Sequence, residues 1–182
     1  PTAALAHAGH GDTAGILSGF MHPAGGLDHV LAMVAVGVFA FVLGGRALWL
    51  VPLSFVAMMA VGFGLGVGGV TVPFVELGIA LSSIVIGAAA GWGKPMPVAA
   101  AMALVGVFAV FHGHAHGAEM PVNAVGFEYA LGFLLATAAL HLAGIGAATG
   151  VSRLVGKFGR PAAQAAAALF ALGGVGLLAG WL

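Results

Sequence analysis

Two short stretches hold the residue types that can do chemistry. The first is His22-Pro23-Ala24-Gly25-Gly26-Leu27-Asp28-His29, two imidazoles and a carboxylate at the mouth of a long apolar segment. The second, Phe111-His112-Gly113-His114-Ala115-His116-Gly117-Ala118-Glu119, closes another such segment. An ionisable side chain in hydrocarbon costs roughly 2.5–3.5 kcal/mol on insertion scales, so such clusters inside apolar sequence mark candidate functional sites. If the second stretch is helical to its end, His112, His116 and Glu119 stand at i, i+4 and i+7 on one stripe, and two imidazoles four residues apart can clasp one metal ion. His114 then points elsewhere, toward a second site or toward water. His22 and His29 have a plainer reading as capping or packed imidazoles, and Asp28 as an N-cap carboxylate accepting the first free amides of its helix. That capping role is compatible with orienting a ligating histidine.

Composition narrows the chemistry. The 182 residues are 62% hydrophobic and 5% charged, against roughly 25% charged in soluble domains, and the mean hydropathy is +1.16. This is the composition of an integral membrane protein. Five basic residues and zero net charge provide no basic face for nucleic acid. With no cysteine, a metal must be held by His, Asp, Glu, Met or backbone oxygen. Imidazole with some carboxylate suits divalent late first-row cations and argues against Cu(I), but leaves Ni²⁺, Co²⁺, Zn²⁺ and Cu²⁺ unseparated. No Gly-x-x-x-x-Gly-Lys-Ser/Thr loop is present, so no nucleotide is hydrolysed on that basis. Because an imidazole must be neutral to ligate, binding is expected to weaken below about pH 6.

The elements that must position these groups read as all-α. Residues 1–21 form an extracytoplasmic N-terminal segment. In it, Ala4-Leu5-Ala6 has the small-x-small pattern of a signal-peptidase site, although an Ala-rich chain also produces it by composition. His7 and His10 follow in a glycine-rich tail that can capture metal but has no fixed geometry. Residues 13–21 make a half-helix, too short for the ~20 residues a span requires. Residues 22–182 then form a compact bundle of six transmembrane helices, with spans near 27–43, 48–68, 75–91, 98–116, 122–149 and 161–182.

Arg46, Lys94, Arg153, Lys157 and Arg160 all fall between spans on one side, which predicts that side as cytoplasmic and both termini as extracytoplasmic. Every histidine except His141 then lies toward the outer face. Small-xxx-small spacings at Gly62 to Gly69, Gly87 with Gly91, Gly146 with Gly150 and Gly176 with Gly180 predict close helix packing, within the bundle or in a homo-oligomer.

Four further groups sit in apolar surroundings. Glu128 is expected a turn and a half into span five, and His141, 13 residues on, about 20 Å deeper. That puts His141 in the inner half of the bilayer, away from the outer cluster, as a relay or as an imidazole bonded to a neighbouring helix. Glu76 reads as interfacial. Met33, one turn after His29, is a soft ligand or core packing.

His-Pro-x-x-Gly-x-Asp-His in span one, Phe-His-Gly-x-Ala-His-Gly-x-Glu at the end of span four, and Gly132-Phe133 with Thr137 and Leu140-His141 in span five resemble the HupE/UreJ family of bacterial nickel and cobalt permeases. The likeness covers essentially the whole chain. It implies inward transport of Ni²⁺ or Co²⁺ across the bacterial inner membrane, with His22, Asp28, His29, His112, His116, Glu119 and His141 as the metal-handling residues and His114 less firmly tied to the motif. Two other readings use the same residues. One is an intramembrane hydrolase holding Zn²⁺ with Glu119 or Asp28 as general base. The other is an outer-face metal sensor or chaperone. Neither has a use for an imidazole as deep as His141.

Overall fold

In the computed structural model, residues 15–120 and 125–181 are described. His7, His10, Asp12 and the Ala4-Leu5-Ala6 pattern lie outside them. The regular elements among the described residues are all helical, with no strand among them: α1 (Ile16–Met21), a 3-10 turn (Pro23–Gly25), α2 (Leu27–Leu43), α3 (Ala47–Val67), α4 (Val75–Trp92), α5 (Val98–Ala118), α6 (Gly126–Val155), a second 3-10 turn (Gly156–Phe158) and α7 (Gly159–Leu178). Helix is the element that satisfies its own backbone hydrogen bonds where no water is available.

Glycine and proline set the stops. Leu43 is followed by Gly44 and Gly45, both at positive φ (73° and 53°), a reversal that side chains with a Cβ resist. α4 ends on the left-handed Gly93, ahead of Pro95 and Pro97, and α5 starts directly after Pro97. Four stretches are long and apolar enough to cross a membrane: Ala47–Val67, Val75–Trp92, Val98–Ala118 and the 53-residue run Gly126–Leu178, which contains α6 and α7. α2, at 17 residues, is apolar but shorter.

α2 is the axis of the bundle. It packs on α6, α4, α7 and α3, and Ala32, Met33, Ala35, Val36, Phe39 and Ala40 are almost fully buried. Met33 is therefore a core residue. Around this axis lie large exposed apolar side chains such as Leu53, Leu142, Leu154 and Leu172, an apolar exterior suited to lipid rather than water.

Glycines let the backbones touch. A Cβ at Gly62 or Gly66 of α3 would strike the backbone of Val110 or His114 on α5, and one at Gly113 or Gly117 of α5 would strike that of Met59 or Phe63 on α3. The rising numbers on both sides make α3 and α5 parallel. Gly37 and Gly144 bring α2 onto α6 in the same way, and Gly19 and Gly132 bring α1 onto α6. Gly87 and Gly91 pack on α7 near Ala168 and Ala171 as expected. Gly146 and Gly150 do not: both face open space, so their spacing serves no contact among the described residues.

Candidate metal centre

The alternation of His and Gly in α5 builds the centre. Gly113 and Gly117 face α3, so the residue before each is turned by about 100° and faces the bundle interior. His112 and His116 are consequently buried, at 0% and 1% exposure. His22, at the junction of α1 and the first 3-10 turn, and His29, in the first turn of α2, meet them there. The His29 ring lies 4.7 Å from that of His112 and 4.9 Å from that of His116, and His22 lies 4.9 Å from His116, all edge to face. With metal–nitrogen bonds of about 2.0–2.1 Å, two imidazoles on one ion have ring centres roughly 5 Å apart, so these spacings suit a shared ion. Among the described residues, however, no three His, Asp or Glu donors stand as a ready-made coordination site. The rings are gathered, and a cation must still draw their nitrogens inward.

Unpaired nitrogens are what a cation would find. His29 Nε2, His112 Nδ1 and both ring nitrogens of His116 are buried without a hydrogen-bond partner among the described residues. A buried polar atom left unsatisfied costs about 1–3 kcal/mol, and coordination removes that cost. The donor set therefore fits a divalent transition-metal cation.

Asp28 takes up a free first-turn amide as expected, but from inside the helix rather than from the N-cap. Gly26, which has no side chain to cap with, occupies the N-cap, and Asp28 stands two residues further on. Its Oδ1 accepts from the His29 backbone amide at 2.8 Å and from His29 Nδ1 at 3.0 Å. A carboxylate behind an imidazole fixes the ring and raises the basicity of its other nitrogen. His22 is the C-cap of α1 and the N-cap of the turn that follows, through its backbone rather than its ring.

Glu119 leaves the predicted stripe. α5 ends at Ala118, and Glu119 is its exposed C-cap. The carboxylate still reaches the cluster, with Oε2 3.6 Å from His22 Nε2. His114 turns away: its Nε2 donates to the Val70 carbonyl at 2.7 Å, pinning the α3–α4 turn. Glu128 lies in the first turn of α6, shallower than expected because that helix begins at Gly126, and it sits exposed over Gly15. Glu76 and Asp28 line a groove of about 480 Å³ between α2, α4 and α7.

His141 is buried at 1% exposure with both ring nitrogens unpartnered among the described residues. It is not remote from the cluster. The Phe55 ring of α3 stands between the two, 5.8 Å from His112 and 5.1 Å from His141. Helix rise along α6 overstated the separation because the cluster has depth of its own: His112 lies about 10 Å down α5 from Glu119 at 1.5 Å per residue. Beyond His141 an apolar groove of about 380 Å³ opens between α3 and α6, lined by Leu48, Trp49 and Pro52 among others.

The packing around these imidazoles is aromatic. Phe133 stacks on His116 at 4.9 Å, and Tyr129 lies 5.9 Å from His22 with its hydroxyl buried and unpartnered among the described residues. Three contributors escaped sequence reading, Phe55 among them. Tyr129 has no motif around it, and Ser82 of α4, whose Oγ is 2.9 Å from His112 Nε2, looks like any serine in an apolar helix.

The family model described as HupE / UreJ protein matches residues 1–177. The chain belongs to the HupE/UreJ family. Protein HupE of Rhizobium leguminosarum bv. viciae is 46% identical to this HupE/UreJ chain over 181 residues, spanning 99% of it and 92% of that relative. No solved structure matches the chain.

Proposed function

We propose that this HupE/UreJ protein carries a divalent transition-metal cation, Ni²⁺ or Co²⁺, inward across the bacterial cytoplasmic membrane. The observation that carries the reading is a continuous file of imidazoles: His22, His116, His29 and His112 in edge contact, then one phenyl ring, then His141. In this mechanism His22 and Glu119, the exposed members, meet the ion first. His29, His112 and His116 take it from water, with Asp28 holding His29 in orientation. His141 receives it past Phe55. A hydrolase or sensor built on the outer cluster has no use for the lower station, so the file favours a carrier over a catalyst.

In this reading all six helices of α2–α7 span the bilayer and residues 22–182 are one transmembrane domain. α2 spans although short, since the surrounding helices shield it from lipid. Arg46, Lys94, Arg153, Lys157 and Arg160 sit in or beside the turns at residues 44–46, 93–97 and 156–158, which supports a cytoplasmic location for that end and an extracytoplasmic one for the imidazoles.

The test is ⁶³Ni²⁺ uptake into sealed proteoliposomes by the unmodified chain, His29→Ala and His141→Ala. His29→Ala should lose high-affinity uptake. His141→Ala should keep outer binding and lose flux. Uptake unaffected by both changes would defeat the assignment.

A further inference from the structure

The hydrogen bonds around the cluster prescribe which nitrogen two of its imidazoles offer, and one of them comes from a residue outside every motif. Ser82 is fully buried in α4. Its Oγ donates to the Ile79 carbonyl at 2.5 Å, the usual closure of a helical serine on its own backbone. That bond uses the only hydroxyl proton, so toward His112 Nε2, 2.9 Å away, Oγ can only accept. His112 must then carry its proton on Nε2 and its lone pair on Nδ1, the nitrogen that is buried without a partner among the described residues. His29 is set the opposite way. The Asp28 carboxylate accepts from Nδ1–H and leaves the lone pair on Nε2, also buried and unpartnered.

We infer that Ser82 is a positioning residue for metal binding, holding His112 as the Nε2–H tautomer so that Nδ1 faces an incoming cation beside His29 Nε2. The inference rests on the transport reading for its metal and on the hydrogen-bond geometry for its tautomer. Ser83, the next residue, is a natural control: it is equally buried, bonds only the Ala80 carbonyl, at 3.3 Å, among the described residues, and lines the groove beside Glu76 instead.

The experiment uses the full chain in lipid nanodiscs, ¹⁵N-labelled at histidine, with His112 assigned by its loss in His112→Ala. Metal-free, the unmodified protein should show His112 as a single Nε2–H tautomer, kept in Ser82→Thr and Ser83→Ala and lost to a mixture in Ser82→Ala. Titration with Ni²⁺ should then give an affinity 10- to 100-fold weaker for Ser82→Ala, the range for partners that orient a metal ligand. Ser82→Thr should fall within a few-fold of the unmodified chain. A Nδ1–H tautomer in the unmodified protein overturns the inference without any variant. Unchanged affinity in Ser82→Ala overturns it alone if His112→Ala binds weakly, and overturns it together with the metal reading if His112→Ala also binds normally.

Discussion

Gly113→Ala puts the helix contact that builds the centre under direct strain. A methyl at this position would lie 2.8 Å from the Met59 carbonyl carbon and 2.8 Å from the Phe63 amide nitrogen, and closer still to the Met59 oxygen. These are backbone atoms, so no rotamer can relieve them. α3 must retreat from α5 by about 1 Å, and overpacking of this kind costs about 1–3 kcal/mol. At roughly 2–4 °C per kcal/mol for a chain of this size, thermal unfolding in detergent should come several degrees earlier. His112 adjoins the strained residue and Phe55 lies on the displaced helix, so Ni²⁺ affinity should fall as well. Gly64→Ala is the matched control. It makes the same change on α3 where a Cβ meets nothing within 4 Å, and it should be neutral or stabilising because alanine favours helix by up to ~1 kcal/mol over glycine. Equal melting temperatures for Gly113→Ala and Gly64→Ala would refute the claim that these glycines set the α3–α5 approach.

Three other outcomes follow from the same geometry. Phe55→Leu should leave Ni²⁺ affinity within a few-fold while raising uptake several-fold, since it trims the ring between His112 and His141; unchanged flux in proteoliposomes would remove Phe55 from the path. Glu119→Gln should weaken binding by no more than about fivefold, because an exposed ion pair contributes about 0–1 kcal/mol; a hundredfold loss by calorimetry would make its carboxylate a direct ligand. Lowering the pH should weaken Ni²⁺ binding, since each ligating imidazole must be free of its proton, and an affinity unchanged between pH 5 and 8 by calorimetry would refute proton competition at the site.

Much of the architecture was legible because its determinants are local. The glycine pair at Gly44-Gly45 and the prolines at Pro95 and Pro97 stop helices wherever they fall, and the expected spans at 27–43, 48–68, 75–91 and 98–116 agree with α2–α5 to within two residues. α6 runs on to Val155 because Ser152 and Arg153, polar as they are, do not break a helix; Gly156, at φ 57°, does. The site was legible as far as residue type carries it. Which of two imidazole nitrogens is free depends on partners such as Ser82, 30 positions away in sequence, and spacing has no access to that. Phe55 is a similar case, one of 12 phenylalanines until α3 sets it between two histidines. Gly146 and Gly150 show the converse, a local pattern with no neighbour to meet among the described residues.

Because packing and ligand faces in α5 belong to adjacent residues, the helix tolerates no change of frame. One residue inserted between Ala109 and Phe111 would rotate everything beyond it by about 100°. Histidines would swing out of the interior, and the glycine surface that admits α3 would be carried around with them. A substitution here disturbs one contact at a time; an insertion or deletion displaces both faces at once.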